Sequence, residues 1–168
     1  MKIRSGFVSN SSSSSFIVIS HNDKDESYEL RKIYEPAGMT TLVVDGKLGH
    51  TEFGWEREKY SDFGSKLIFA YLQSYYLIQY KDERGEKWLA MLEEVIKETI
   101  GVEEIEWNIN TDYADGKNTW AYIDHQSASY EGSNIEMFEN KHSLKRFLFN
   151  TDSYIETGND NDSDYYEY

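Results

Sequence analysis

The chain has 168 residues, no cysteine, 15% aromatic residues and a formal net charge of −14. That length suits one domain able to bury a core without disulfides, and the aromatic load argues against wholesale disorder. With 31 acidic against 17 basic side chains, direct nucleic-acid binding is disfavoured, because that affinity comes from Lys and Arg neutralising phosphates; an anionic membrane surface is disfavoured for the same reason.

The chain opens on Arg4-Ser5-Gly6-Phe7-Val8-Ser9-Asn10, the serines Ser11, Ser12, Ser13, Ser14 and Ser15, then Phe16-Ile17-Val18-Ile19. The small-polar run reads as a loop feeding a strand over 16–20 that is central and buried on both faces. A helix over 25–34 follows, with Tyr28, Leu30, Ile33 and Tyr34 directed inward and Pro36 and Gly38 ending it. A strand over 40–44 meets Asp45-Gly46, a tight-turn signal, and its hairpin partner would lie within 47–55, weakened by Gly49 and Gly54. Ser61 or Asp62 can cap a long helix to about Tyr80 that is apolar nearly all round. A second helix over 86–100 carries Trp88, Leu89, Leu92, Val95, Ile96 and Thr99 as a stripe, with Gly101 placed for a left-handed C-cap. The short link over 81–85 predicts an antiparallel helix pair.

Residues 105–109 alternate apolar and polar and predict a half-exposed strand, returning over 119–123 as a hairpin around Asp115-Gly116. A polar loop over 127–133 precedes a short helix over 140–149 with Leu144, Phe147 and Leu148 inward. Residues 153–155 add a last edge strand, and an acidic tail over 158–168 is expected to be mobile. The expectation is one α+β domain over 1–157: a small mixed or antiparallel sheet covered on one face by two main helices.

A Ser/Gly/Asn loop can present N–H groups and hydroxyls to an anion, act as a flexible linker or serve as a modification target. It lacks the second glycine and the lysine of a Walker A loop. As a string, Arg4 followed by Gly6-Phe7-Val8-Ser9-Asn10, Ser11 to Ser15 and Phe16 resembles the opening shared by many short, uncharacterised bacterial and phage proteins. The resemblance covers about a tenth of the chain and implies an accessory protein, with no activity or cofactor attached to it. It weighs against a bland linker, which needs no fixed flanks.

Asp124 and His125 follow a predicted strand, where side chains project into clefts, and Ser127 lies close behind. A histidine there can act as general base, with a nucleophile from Ser9 to Ser15 if the fold brings them together. A neighbouring Asp cannot orient the adjoining imidazole, so the orienting group must come from elsewhere. The alternative is a surface histidine ending a strand.

His21, His50 and His142 are scattered, with no zinc spacing, so no metal and no cofactor are expected. Asp160-Asn161-Asp162-Ser163-Asp164 begins like an EF-hand loop, but Tyr165 replaces the glycine and no bidentate Glu follows. Asp62-Phe63-Gly64 matches a kinase tripeptide without the accompanying motifs.

After Lys2 and Arg4, serines and Asn10 stand where a secretory apolar region would run. The longest apolar stretch, 67–78, is interrupted by Gln73 and Ser74 and is too short to span a bilayer. The expected setting is cytoplasmic, that of the host if the chain is phage-encoded. The acidic balance and the 14 tyrosines suit a non-enzymatic protein that docks a basic or mixed partner, or that mimics a nucleic acid. The alternative is a small hydrolase or transferase using the serine loop with Asp124-His125. Tyrosines at helical spacing, such as Tyr71, Tyr75 and Tyr76, have core packing as their plainer use.

Overall fold

The computed structural model describes residues 3–5, 14–34, 38–54, 57–111, 119–124 and 133–158. Its architecture is α+β. Local signals set the helix ends. Helix α1 (Ser27–Tyr34) starts where Asp25 Oδ1 accepts the Ser27 N–H at 2.7 Å. Helix α2 (Phe63–Gln79) is capped by Asp62, which accepts from Ser65 N–H, and α4 (Lys141–Phe149) by Asn140, which accepts from Ser143 N–H.

Helix α3 (Glu83–Ile100) begins a turn earlier than its apolar stripe suggests. Asp82 accepts the Arg84 N–H and is also clamped by the Arg84 guanidinium at 2.6 Å. Those hydrogen bonds hold the Asp82 carboxyl down at about 2. At the other end Gly101 adopts φ 81° and closes the helix as a left-handed cap.

The long helix is apolar nearly all round because it is buried nearly all round. From Phe63 to Ser74 every α2 residue is buried. Helix α3 folds back on it after a link of only Tyr80, Lys81 and Asp82, burying Leu92, Val95, Ile96 and Ile100. Helix α1 departs from expectation. Leu30 and Tyr34, one turn apart, pack on the core, whereas Tyr28 and Ile33 face solvent at 65% and 61% exposure.

Strand β1 (Ile3–Ser5), β2 (Ser14–Ile19), β10 (Tyr154–Gly158) and β5 (Lys59–Tyr60) form an antiparallel sheet in the order β1-β2-β10-β5. Strand β2 is central and buried from Ser15 through Ile19, as its β-branched run predicts. It starts earlier than expected, drawing Ser14 and Ser15 into the ladder opposite Gly158 and Thr157. The expected edge strand near Ser153 is instead an inner strand: Ile155 pairs with Ile17 on one side and Tyr60 on the other. Residues 59–60 supply the outer partner, so the last strand is covered on both sides.

Two predicted hairpins are replaced by parallel pairs. Strand β3 (Thr41–Val44) pairs in parallel with β6 (Glu104–Trp107), Val43 opposite Glu106. The turn at Asp45 does form, with Leu48 N–H donating to Asp45 O at 3.1 Å, but no antiparallel strand follows. Instead β4 (Glu52–Phe53) pairs in parallel with β9 (Tyr122–Ile123). Parallel pairing requires a long crossover, and the α2–α3 pair supplies it between β3 and β6. Strand β7 (Ile109–Asn110) pairs in parallel with β8 (Thr119–Trp120), not antiparallel as expected. Alternation reports a half-exposed strand but carries no information about the direction of its partner.

Residues 133–138 form a 3₁₀ helix in place of the end of the predicted polar loop, with Met137 and Phe138 buried and Phe138 stacked on Trp88 at 4.4 Å. One contiguous core joins Ile17, Phe53, Phe69, Leu92, Phe147 and Ile155. The tail beyond Gly158 lies outside the described residues.

Candidate functional site

Of the candidate site residues in the N-terminal motif and of Asp124, His125 and Ser127, the structure places four. Arg4 lies in β1 opposite Val18, and Ser14 and Ser15 lie in β2. Ser15 is buried, which removes it from any exposed serine loop. Asp124 is buried at the end of β9, its N–H donating to Phe53 O at 2.7 Å and its Cβ set against Gly54. Gly54 has φ 147°, a conformation that side chains rarely adopt, so the close approach requires glycine there. Gly6, Phe7, Ser9, Asn10, Ser11, Ser12, Ser13, His125 and Ser127 lie outside the described residues.

The tyrosines of the long helix belong to the interior. Tyr71 is buried and stacks on Trp107 at 4.3 Å, and burial pushes its hydroxyl up to about 12. Tyr76 is half-buried and its Oη accepts the Ile123 N–H at 3.3 Å. Tyr60 is buried against Phe53 and His50. Among the described residues, Tyr28 and Tyr80 are the large exposed tyrosines.

Acidic charge is concentrated along α3 and β6. Residues 83–106 hold eight Glu against three Lys or Arg. Glu94, Glu98, Glu103, Glu104 and Glu106 are exposed. Strand alternation turns Ile105 and Trp107 inward and puts Glu104 and Glu106 on the outer side beside the exposed Val43. Trp107 Nε1–H donates to Glu93 Oε1 at 3.0 Å, tying β6 to α3. Lys141 of α4 pairs with Glu94 and with Glu98, bridging into this face from another helix.

A second polar region sits where the C-terminal end of α4 meets the loop before α1. Its hub is Lys66, a fully buried side chain in the first turns of α2. Lys66 Nζ donates to Asn150 O at 2.9 Å and to Ser153 O at 3.4 Å, placing an ammonium where α4 leaves its last carbonyls. Desolvation pulls its pKa from 10.5 to about 8, against the opposing attraction of Glu26 and Asp62. Burial raises the Glu26 carboxyl, and its buried Oε1 has no hydrogen-bond partner. Glu26 N–H donates to Phe149 O at 2.9 Å, fixing that loop on the end of α4.

Outside this hub lies an open groove of about 260 Å³. One wall is α4, where His142, Lys145 and Arg146 share a helix face at i, i+3 and i+4. The other is the loop carrying Asp23 and Asp25. The walls are pinned together. Arg146 Nη1 donates to Asn22 O at 3.2 Å and to Ser20 O at 3.4 Å, and Arg146 Nε donates to His142 Nε2 at 2.9 Å. Asn150 Nδ2 donates to Asn22 O at 3.0 Å and Oδ1 at 2.7 Å.

Sequence reasoning missed this region, because Asn22 and Asn150 are far apart in the chain. One signal was available: Lys66 is a lone charge inside an apolar helix, and such a charge must find partners. Among the described residues no group of three or more His, Asp or Glu is arranged to hold a metal ion, and no helix is long and apolar enough to cross a membrane. No family model, curated protein or solved structure matches the chain.

Proposed function

We propose that this chain is a non-enzymatic accessory protein that docks a basic or mixed protein partner on the acidic face built by α3 and β6. The observation that carries the reading is the run of outward Glu side chains at 94, 98, 103, 104 and 106, next to the exposed apolar side chains of Met39 and Val43. Carboxylates at the rim of such a face attract and orient a cationic partner, while the apolar atoms supply area that gains from burial. The tyrosine contribution is smaller than the composition suggests, since the helix α2 tyrosines pack inward.

The test is capture of a partner from bacterial lysate on the immobilised chain at low ionic strength, followed by elution with salt. The expected result is a basic protein released as salt screens the contact, and lost when Glu98, Glu104 and Glu106 are all replaced by Lys. No retained protein at low salt, or retention unchanged by the triple replacement, overturns the reading.

A further inference from the structure

From the groove between α4 and the 22–25 loop, we infer a binding site for a small zwitterion, a molecule of free amino-acid type carrying a carboxylate and an ammonium group. The site is separate from the acidic face and stands without it. Lys145 and Asp23 are exposed on opposite walls, and no ion pair joins them. Neither side chain has a hydrogen-bond or ion-pair partner among the described residues, although the Asp23 carbonyl accepts the Asp25 N–H at 3.1 Å.

The remaining charges define the ligand class. Arg146 is committed to the carbonyls of Ser20 and Asn22 and to His142. His142 Nε2 accepts that Arg146 N–H and is engaged in the same network. The groove therefore holds two cations, Lys145 and Arg146, facing two carboxylates, Asp23 and Asp25. Asp25 Oδ1 already accepts the Ser27 N–H, which leaves Asp23 the freer acceptor. A simple anion attracted by Lys145 would meet two facing carboxylates, and a simple cation attracted by Asp23 would meet two cations. A dipolar molecule satisfies both walls at once, its carboxylate toward Lys145 and its ammonium toward Asp23.

The walls are already ordered before any ligand arrives. Asn150 is 3% exposed and holds Asn22 through two contacts, and a bridge joins the backbones of Asp25 and Asn150. Preorganisation of this kind lowers the ordering cost of binding. About 260 Å³ accommodates a molecule of amino-acid size.

The experiment is an NMR titration of the full ¹⁵N-labelled chain with free glycine, L-leucine and L-glutamate, against acetate, methylammonium and inorganic phosphate as half-ligand controls. Saturable shifts of the Asp23, Lys145 and Arg146 amides are expected with at least one amino acid and with none of the controls at equal concentration. Lys145→Gln and Asp23→Asn should each weaken that binding about tenfold or more. Both positions are exposed, and the dispersion of the same spectra verifies that the variants are folded. No saturable shift with any amino acid, phosphate binding as tightly as the amino acids, or tighter binding by the Asp23→Asn chain would each overturn the site.

Discussion

Replacing Lys66 with Met separates the two energies that meet at this buried ammonium. Its shift from 10.5 to about 8 means that the fold carries the charged form at a cost of about 3 kcal/mol relative to the open chain. Against that, Lys66 supplies a donor to Ser153 O; Asn150 O also receives the Ser153 N–H at 3.0 Å and would keep a partner. One buried carbonyl left without a donor costs about 1–3 kcal/mol. At neutral pH the two terms oppose each other, so Lys66→Met should lie within about 2 kcal/mol of the parent.

The pH dependence is the sharper readout. A lysine whose folded pKa lies below its unfolded value holds fewer protons in the fold than in the open chain across that interval. Unfolding then takes up a proton, and stability rises with pH from about 8 towards 10.5. Between pH values of about 7.5 and 9.5 the gain is about 2 kcal/mol. Tyr34, Tyr71 and Tyr76, whose hydroxyls are pushed up by burial, oppose this above the ordinary tyrosine value of 10.0, so the window closes there. Urea unfolding at three pH values in this range measures it. A flat profile in the parent, or the same slope in Lys66→Met, would refute the reasoning.

Three other perturbations follow from local geometry. Glu26→Gln removes a carboxylate whose attraction raises the Lys66 pKa, so the rise in stability should begin at lower pH in the same titration. Gly64→Ala would put a Cβ 1.8 Å from Leu48 O, where the turn after β3 rests on the first turn of α2. A loss of about 3 kcal/mol or more is expected, and a urea midpoint within error of the parent would rule out that close approach. Gly101→Ala strains the left-handed cap of α3 and should cost about 1 kcal/mol, read as a fall in Tm.

Gly64 also shows how a motif is resolved by context. In Asp62-Phe63-Gly64, Asp62 caps α2, Phe63 stacks on Phe149 at 5.1 Å, and Gly64 admits the backbone of the Leu48 turn. Each residue has a packing reason, and none requires phosphate chemistry. Likewise Gly49, which weakened the predicted hairpin strand, lies against the Ser65 N–H region of α2. It serves a helix contact instead of a strand.

The elements governed by near neighbours were legible in the sequence: the caps at Asp62 and Gly101, the buried run after Ser15, and the inward faces of α3 and α4. Capping and periodicity act within a turn or two, so the residues that decide them are adjacent in the chain. Strand partnership was not legible. The pairing of Val43 with Glu106, of Phe53 with Ile123 and of Ile155 with both Ile17 and Tyr60 joins residues that lie far apart in the chain. The polar groove and the Lys66 hub are of the same kind, because Asn22, Lys66 and Asn150 meet only when α4 docks on α2 and the loop before α1 closes over its end. The sequence alone decided which segments would be helices and where the charge would lie; tertiary packing decided which strands run parallel, which tyrosines are hidden and where a polar cleft opens, since each depends on contacts between residues that no local spacing relates.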